Sequence, residues 1–161
     1  MPIVAHPALI TFRRRNDAAS DPFIAEVAAH SFAEYDSNCV QTTRRMLSTG
    51  TTWLAWRGAE PLGFAIVHAR APSELELCAI AVTERARGQG VAAALLRRIE
   101  DELSLAGGGQ IRLHTAQANL AALELFLKRG FRVERRLPRF YRGVFDACAL
   151  CKRVPRAAPG V

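Results

Sequence analysis

The chain has 161 residues, 50% of them hydrophobic and 23% charged, with a formal net charge of +7. This length and balance predict one globular domain over residues 1–161, and no apolar run approaches the roughly 18 to 20 residues that cross a bilayer. The N-terminal arginines follow the apolar stretch MPIVAHPALITF. That order is the reverse of a secretory signal, so we expect a cytoplasmic protein without a membrane partner.

The elements can be predicted in chain order from periodicity and turn residues. Ser20 and Asp21 are candidate caps for the first helix, and Gly107-Gly108-Gly109 is expected to end the longest one. The predicted elements are a strand at 9–14, helices at 22–32 and 40–47, strands at 51–57, 61–70 and 74–82, a helix at about 90–105, a strand at 111–116, a helix at 119–129, and strands at 131–137 and 144–154.

The order βααβββαβαββ has two strand–helix–strand units in its second half, which predict a mixed, partly parallel α/β sheet with helices on both faces. The helix at 90–105 should pack on that sheet, because one of its sides is apolar. This side consists of Ala92, Leu95, Leu96, Ile99 and Leu103. Such packing would hold the start of the helix near the end of the strand before it.

The cysteines give little indication of chemistry. Cys148 and Cys151 form a CxxC pair, but a zinc site needs two further ligands, and the sequence has no second CxxC and no HxxxH. We therefore expect no metal, and we expect these two residues to fill a late strand. With Cys39 and Cys78 they are too few and too scattered for a disulfide scaffold.

The hexapeptide RARGQG, residues 85–90, directly precedes the long helix. A helix start leaves backbone N–H groups without partners and carries a partial positive charge. Gly88 and Gly90 would let an anion approach these groups, and Arg85 and Arg87 add charge beside them. The pattern suits a pyrophosphate. It lacks the GxxxxGK[ST] of a P-loop and the third glycine of a dinucleotide fingerprint.

The strand ELELCAIAV followed by Arg85-Ala-Arg-Gly88-Gln-Gly90 resembles the acetyl-coenzyme A signature of the GNAT N-acetyltransferase superfamily. NLAALELFLKRGF, residues 119–131, is similar to the second hallmark of that family. The resemblance covers residues 8–154 and comes closest to ribosomal-protein and N-terminal alanine acetyltransferases. It implies the GNAT fold, a mixed, mostly antiparallel sheet of about seven strands with a V-shaped splay between its central parallel strands and helices on both faces. We expect a short flexible C-terminal tail after residue 154.

The resemblance implies acetyl-CoA as cosubstrate. Backbone groups of Ile80, Ala81 and Val82 would pair with its pantetheine arm like a substitute strand, and an N–H near Val82 would stabilise the thioester oxygen. Asn119 would contact the cofactor further along the cleft. The amides that would hold the pyrophosphate belong to the segment from Arg85 to Ala92, which includes Arg87, Gly88, Gln89, Gly90 and Val91.

Acetyl transfer needs a base for the amine and a donor for the departing thiolate. Many relatives place a Tyr donor where this chain has Phe126. Tyr141 lies in a segment that resembles the catalytic Tyr region of ribosomal-protein acetyltransferases, and is the candidate acid. An aromatic residue that only closes the cleft is the alternative.

Two residues are candidate bases by resemblance. Glu74 matches the catalytic Glu of histone-type relatives, and His114 a catalytic His of one eukaryotic N-terminal acetyltransferase; Glu76 is a weaker third. A solvated strand end and a structural histidine are the alternatives. Strand alternation predicts that one sheet face carries Glu74, Glu76, Cys78, Ile80 and Val82.

The expected reaction is direct attack on acetyl-CoA, in a ternary complex, by the N-terminal amine of a protein or peptide. A protein lysine or a small-molecule amine as acceptor, and a protein that binds acetyl-CoA without catalysis, remain open. Residues 128–156 hold ten Lys/Arg against Glu134 and Asp146, a net charge of +8. We therefore expect an acceptor that is acidic or presented by an RNA-bound body such as a ribosomal particle, rather than direct nucleic-acid binding. A monomer and a homodimer are both compatible with the sequence.

Overall fold

The computed structural model describes residues 9–160, so the predicted domain limits of 1 and 161 and the proposed start of the core at residue 8 lie outside it. The predicted order of elements is confirmed. The elements are β1 (Ile10–Arg14), α1 (Asp21–Phe32), α2 (Cys39–Thr49), β2 (Thr51–Arg57), β3 (Glu60–Ala71), β4 (Glu74–Val82), a 3₁₀ turn (Glu84–Ala86), α3 (Val91–Leu105), β5 (Gly109–Ala116), α4 (Leu120–Lys128), β6 (Arg132–Tyr141) and β7 (Phe145–Val154). None of the helices between residues 9 and 160 is long and apolar enough to cross a membrane.

The seven strands form one sheet in the order β1-β2-β3-β4-β5-β7-β6. All neighbours are antiparallel except β4 and β5, which confirms a mixed, mostly antiparallel sheet. Strand β6 runs four residues beyond its predicted end at Leu137, past Pro138. Proline is tolerated here because β6 is an edge strand, and its pairing with β7 is interrupted between Leu137 and Tyr141.

Helices cover both faces of the sheet, as predicted. On one face, α3 buries Leu95, Leu96, Ile99 and Leu103, and α4 buries Phe126, in a core shared with β2–β5 and β7. On the other face, α1 and α2 pack mainly on β3 and β4 in a second core. Burial of the apolar side of α3 fixes the start of that helix beside the end of β4.

A β-bulge in β4 changes which side chains share a face. Ile66 pairs with Ala79 while Val67 pairs with Leu77, so Cys78 is an extra residue. The prediction of a common face for Glu74, Glu76, Cys78, Ile80 and Val82 is therefore wrong. Ile80 and Val82 pack in the core beside α3, whereas Cys78 packs in the core beside α1.

Strands β4 and β5 separate after a short paired region. Their register covers Glu74 to Glu76 of β4 and Gln110 to Arg112 of β5, and no further pairs join the two strands within the described chain. The edge of β4 that faces β5 is therefore open from residue 77 to 82. This gap is the predicted V-shaped splay.

The segment after β7, predicted as a flexible tail, is attached to the end of α3. Ser104 donates through Oγ to the Pro155 carbonyl at 2.9 Å, and the Ala157 N–H donates to the Ser104 carbonyl at 3.0 Å. At the other end of the chain, Ser20 occupies the N-cap of α1 without a side-chain capping bond. Asp21 instead accepts two hydrogen bonds from Arg15, at 2.6 and 2.8 Å.

Candidate active site

The turn before α3 depends on two glycines. Gly88 and Gly90 have φ angles of +74° and +79°, and Gly90 is the left-handed N-cap of the helix. A Cβ atom at either position would meet nothing within 4 Å. Backbone conformation therefore favours glycine here, and the space above the turn is open to a ligand.

The start of α3 presents a row of free backbone donors. Within residues 9–160, no hydrogen bond uses the N–H groups of residues 88–93 as donors. The Gln89 side chain is engaged in the turn itself, because it accepts from Arg57 at 2.8 Å and donates to the Arg85 carbonyl at 3.0 Å. Free amides at a helix start favour an anion such as a pyrophosphate.

A groove of about 600 Å³ runs from this turn into the splay, between β4 and the starts of α3 and α4. We call it the splay groove. Asn119 lies along it as the N-cap of α4, where its side chain accepts from the Ala122 N–H at 3.3 Å. The groove brings together Ile80, Ala81, Val82, Arg87, Gly88, Gly90, Val91, Ala92 and Asn119, whereas Arg85 and Gln89 lie outside its lining.

Two further cavities continue the splay groove. An inner cavity of about 170 Å³ shares Ile80, Asn119 and Phe126 with it. An outer funnel of about 900 Å³, between α2 and the β6–β7 hairpin, shares His114 and Tyr141 with the inner cavity. The loop residue Tyr35 lines all three spaces. Because they share lining residues, the three spaces adjoin one another in a series from the free amides of α3 to the opposite face of the sheet, and we call this series the passage.

Tyr141 lies where the inner cavity meets the funnel. Its ring contacts Tyr35, with ring centroids 5.8 Å apart, and Phe140 at 4.9 Å. Burial raises the pKa of its phenol to about 12. The hairpin is tied to the loop between α1 and α2, because Arg142 donates to the Glu34 carbonyl at 3.1 Å. Tyr141 is thus held as a neutral hydroxyl that can donate a hydrogen bond into the cavity.

His114 lies beside Tyr141 in both the inner cavity and the funnel. It is exposed, and its ring stacks on Phe140 at a centroid distance of 5.1 Å and an interplanar angle of 25°. The structure therefore brings together an imidazole and a phenol, which are two of the three predicted catalytic groups.

Glu74 lies apart from these two groups. Its carboxylate is 3.0 Å from Arg112, which also binds Glu134 at 2.6 Å. Glu74 borders a separate depression beside Ser73, at the paired end of the splay. Glu76 does line the funnel, where its carboxylate is ion-paired with Arg70.

Sequence reasoning did not single out Tyr35 or the bulge residue Cys78. Tyr35 belongs to the loop between α1 and α2, and it is part of no recognisable sequence motif. Cys78 lines the inner cavity and the funnel, and burial raises the pKa of its thiol to about 11. Of the CxxC pair, Cys148 is buried in the core, and Cys151 donates a weak hydrogen bond to Gln110 at 3.6 Å.

The basic segment 128–156 divides into two parts. Arg129 and Lys152 bind the buried carboxylate of Glu100 at 2.8 and 2.7 Å, and Lys128 is 2.9 Å from Glu124. Most of the remaining arginines of this segment lie on β6 or in the turn between β6 and β7. Only that second part borders the funnel, through Arg142.

Comparison with known families and structures agrees with this geometry. The model of the acetyltransferase (GNAT) family matches residues 15–131, which is most of the chain. The chain belongs to that family, which confirms the resemblance of the RARGQG and NLAALELFLKRGF segments to it.

Individual relatives are distant. N-acetyltransferase 8B of Rattus norvegicus is 30% identical over 122 residues, which is 68% of this chain and 55% of that protein. The chain thus spans about half the length of the curated relatives it matches. The ribosomal-protein-S18-alanine N-acetyltransferase of Escherichia coli has a similar structure, with a TM-score of 0.79 and 21% identity over 95% of this chain and 99% of that one. The structure of a GNAT acetyltransferase of Elizabethkingia anophelis with bound acetyl-CoA is also similar. Its TM-score is 0.77, and it is 18% identical over 89% of this chain and 97% of that one.

Proposed function

We propose that this protein transfers an acetyl group from acetyl-CoA to the α-amine of a peptide or protein by direct attack in a ternary complex. The passage through the sheet carries this proposal. It joins an anion site at the start of α3 to a cavity lined by His114 and Tyr141, and then to a funnel open on the other face. The two substrates would enter from opposite ends and meet in the splay.

The residues of the splay groove fit the cosubstrate. The free amides of residues 88–93 suit the pyrophosphate, with Arg87 beside them and Arg85 adding charge outside the lining. The unpaired edge of β4 offers the backbone of Ile80, Ala81 and Val82 to an extended pantetheine arm, as a neighbouring strand would pair. Asn119 contacts the arm nearer the inner cavity. Bound acetyl-CoA would supply an activated thioester carbonyl.

The roles of His114 and Tyr141 follow from their positions. An α-amine with a pKa near 8 is largely protonated at neutral pH, so a proton must leave before attack. His114, exposed in the funnel, accepts that proton and passes it to solvent. The neutral amine attacks the thioester carbon and the C–S bond breaks. Tyr141 donates a hydrogen bond to the departing sulfur, which leaves as a thiol by taking up the proton that the attacking nitrogen loses to become an amide. We assign no catalytic role to Glu74, because its carboxylate is bound to Arg112 away from both cavities.

Two observations support a peptide acceptor. The funnel, at about 900 Å³, is larger than a simple amine requires, and its rim carries carboxylates and guanidinium groups that could bind a peptide backbone. The similar E. coli structure is that of an enzyme for a ribosomal-protein alanine. Asp36 lies in the funnel and is in no ion pair within residues 9–160, so it can attract an ammonium group.

The test is thiol release from acetyl-CoA with three acceptors, with the product identified by mass. These are a short peptide with a free N-terminus, the same peptide with its N-terminus blocked and one lysine added, and a small diamine. We expect turnover mainly with the free N-terminus, and His114→Gln should lower kcat/KM about 10²-fold without weakening coenzyme A binding. Coenzyme A binding with no turnover on any amine would instead indicate a non-catalytic binding protein.

A further inference from the structure

Strand β6 forms an open edge of the sheet. It is last in the strand order and pairs only with β7 within the described chain. Eight of its ten residues are exposed. An unpaired edge presents backbone N–H and C=O groups that can pair with another extended chain.

Four arginine side chains on this strand form no ion pair with a carboxylate, although the backbone N–H of one of them, Arg139, donates to Asp146 at 2.9 Å. We call them the β6 arginine row, and they are Arg132, Arg135, Arg136 and Arg139. None takes part in an ion pair within residues 9–160, and all are exposed. The one acid on the strand, Glu134, is already bound to Arg112. The row extends over roughly 20 Å of unneutralised positive charge.

The row is continuous with the proposed acceptor site. Arg135 pairs with Ala149, which in turn pairs with His114, so Arg135 and His114 project from the same face of the sheet. At its C-terminal end the strand reaches Phe140, 48% exposed, and Tyr141, both of which line the funnel. A chain whose first residue lies in the funnel can therefore pass the irregular segment from Pro138 to Tyr141 and continue along the regular part of β6, which ends at Leu137.

We propose that the outer surface of β6 binds an acidic polypeptide segment, namely the part of the acceptor that follows its acetylated N-terminus. This rests on the proposed function and adds to it the chemistry of the acceptor's next residues. Carboxylates complement the arginine row, and the open strand edge favours an extended polypeptide over a nucleic acid, which has no backbone amides to pair with it.

The experiment compares two labelled peptides of equal length that share their first three residues and continue with either glutamates or glutamines. Catalytic efficiency is measured with saturating acetyl-CoA. Peptide binding is measured with saturating coenzyme A, which cannot react. The variant Arg132→Gln/Arg135→Gln removes two charges from the row. The control Arg44→Gln/Arg97→Gln removes two exposed charges from α2 and α3, outside every cavity described above.

We expect the native protein to favour the glutamate peptide, with a preference that weakens as salt is added. In the β6 variant, catalytic efficiency and affinity should fall about fivefold for the glutamate peptide and hardly at all for the glutamine peptide. The control variant should behave like the native protein. Equal binding of both peptides, or tighter binding of a single-stranded RNA of equal charge, would overturn the inference. If neither peptide is acetylated but the glutamate peptide still binds through the row, the proposed function fails, and what stands is the binding of an acidic polypeptide segment to β6.

Discussion

The rings of Tyr35 and Tyr141 lie 5.8 Å apart and tilted by 54°, across the junction of the splay groove, the inner cavity and the funnel. One belongs to the loop between α1 and α2, and the other to the end of β6. Phe145 packs against Tyr35 at 5.2 Å. The α1–α2 loop therefore positions the candidate acid from the far side of the passage.

This contact predicts the effect of truncating Tyr35. Tyr35→Ala should lower kcat/KM for the amine about fivefold, because aromatic pairs contribute about 0.5–1.5 kcal/mol and the Tyr141 ring would lose its support. Tyr35→Phe keeps the ring and should retain near-native kinetics. Coenzyme A affinity, measured by calorimetry, should change little in Tyr35→Phe, which keeps the ring that lines the splay groove. Equal losses in both variants would show that the hydroxyl, not the ring contact, matters.

Tyr141→Phe should lower kcat about 10²-fold while coenzyme A still binds, since only the donor at the departing sulfur is lost. Its raised pKa adds a second readout. The chain has two tyrosines. When the tyrosinate absorbance of the Tyr141→Phe variant is subtracted from that of the native protein, the difference reports the ionisation of Tyr141. We expect no signal below about pH 11 while circular dichroism shows the folded state, because the phenol titrates at about 12. A midpoint near pH 10 would mean that the phenol is solvated.

The turn before α3 gives a third prediction, with a matched control. Gly88→Ala and Gly90→Ala each force a Cβ into left-handed backbone, at about 1–2 kcal/mol, and should weaken coenzyme A binding at least tenfold by moving the free amides. Gly58→Ala introduces similar strain, at φ +60°, in the β2–β3 turn, with equally open surroundings. It should lower thermal stability comparably and leave coenzyme A affinity intact. Loss of affinity in all three variants would assign the effect to stability alone.

Much of the site was predictable because local rules determine it. The apolar repeat of Leu95, Leu96 and Ile99 required α3 to pack on the sheet, and Gly88 and Gly90 marked the turn before it. Both predictions could be made without information on which strands pair in the sheet.

Features that depend on pairing were not predictable. The bulge at Cys78 exists only because β3 pairs with both sides of it in different registers, so simple alternation placed Ile80 on the wrong face. Glu74 is bound by Arg112 because β4 and β5 happen to align there. Tyr35 is brought to the site by the packing of α1 and α2 on the sheet. No sequence motif in its loop predicts that position.

Acid should selectively remove one stabilising contact at the start of α1. The hydrogen bonds from Arg15 hold the pKa of Asp21 below its usual value. A carboxyl with a depressed pKa contributes stability above its unfolded-state pKa, near 3.9, and that stability is lost as the pH falls through its folded-state value. Arg15→Gln should therefore destabilise by about 1 kcal/mol at pH 6 and by progressively less as the pH falls through the folded-state pKa of Asp21, measured by urea unfolding. Arg14→Gln, one residue earlier on β1, should show no such dependence.

The final prediction concerns the buried carboxylate that joins α3 to the rest of the domain. Glu100 is 8% exposed and binds both Arg129, after α4, and Lys152, on β7. Glu100→Gln leaves two cations facing a neutral amide, and removal of one member of a buried ion network costs about 3 kcal/mol. Glu124→Gln removes an exposed i,i+4 pair with Lys128, and its effect on the free energy of unfolding should be much smaller because that pair is solvated. Urea unfolding of both variants measures the difference, and equal values would show that the Glu100 network is solvated and does not hold α3 in place.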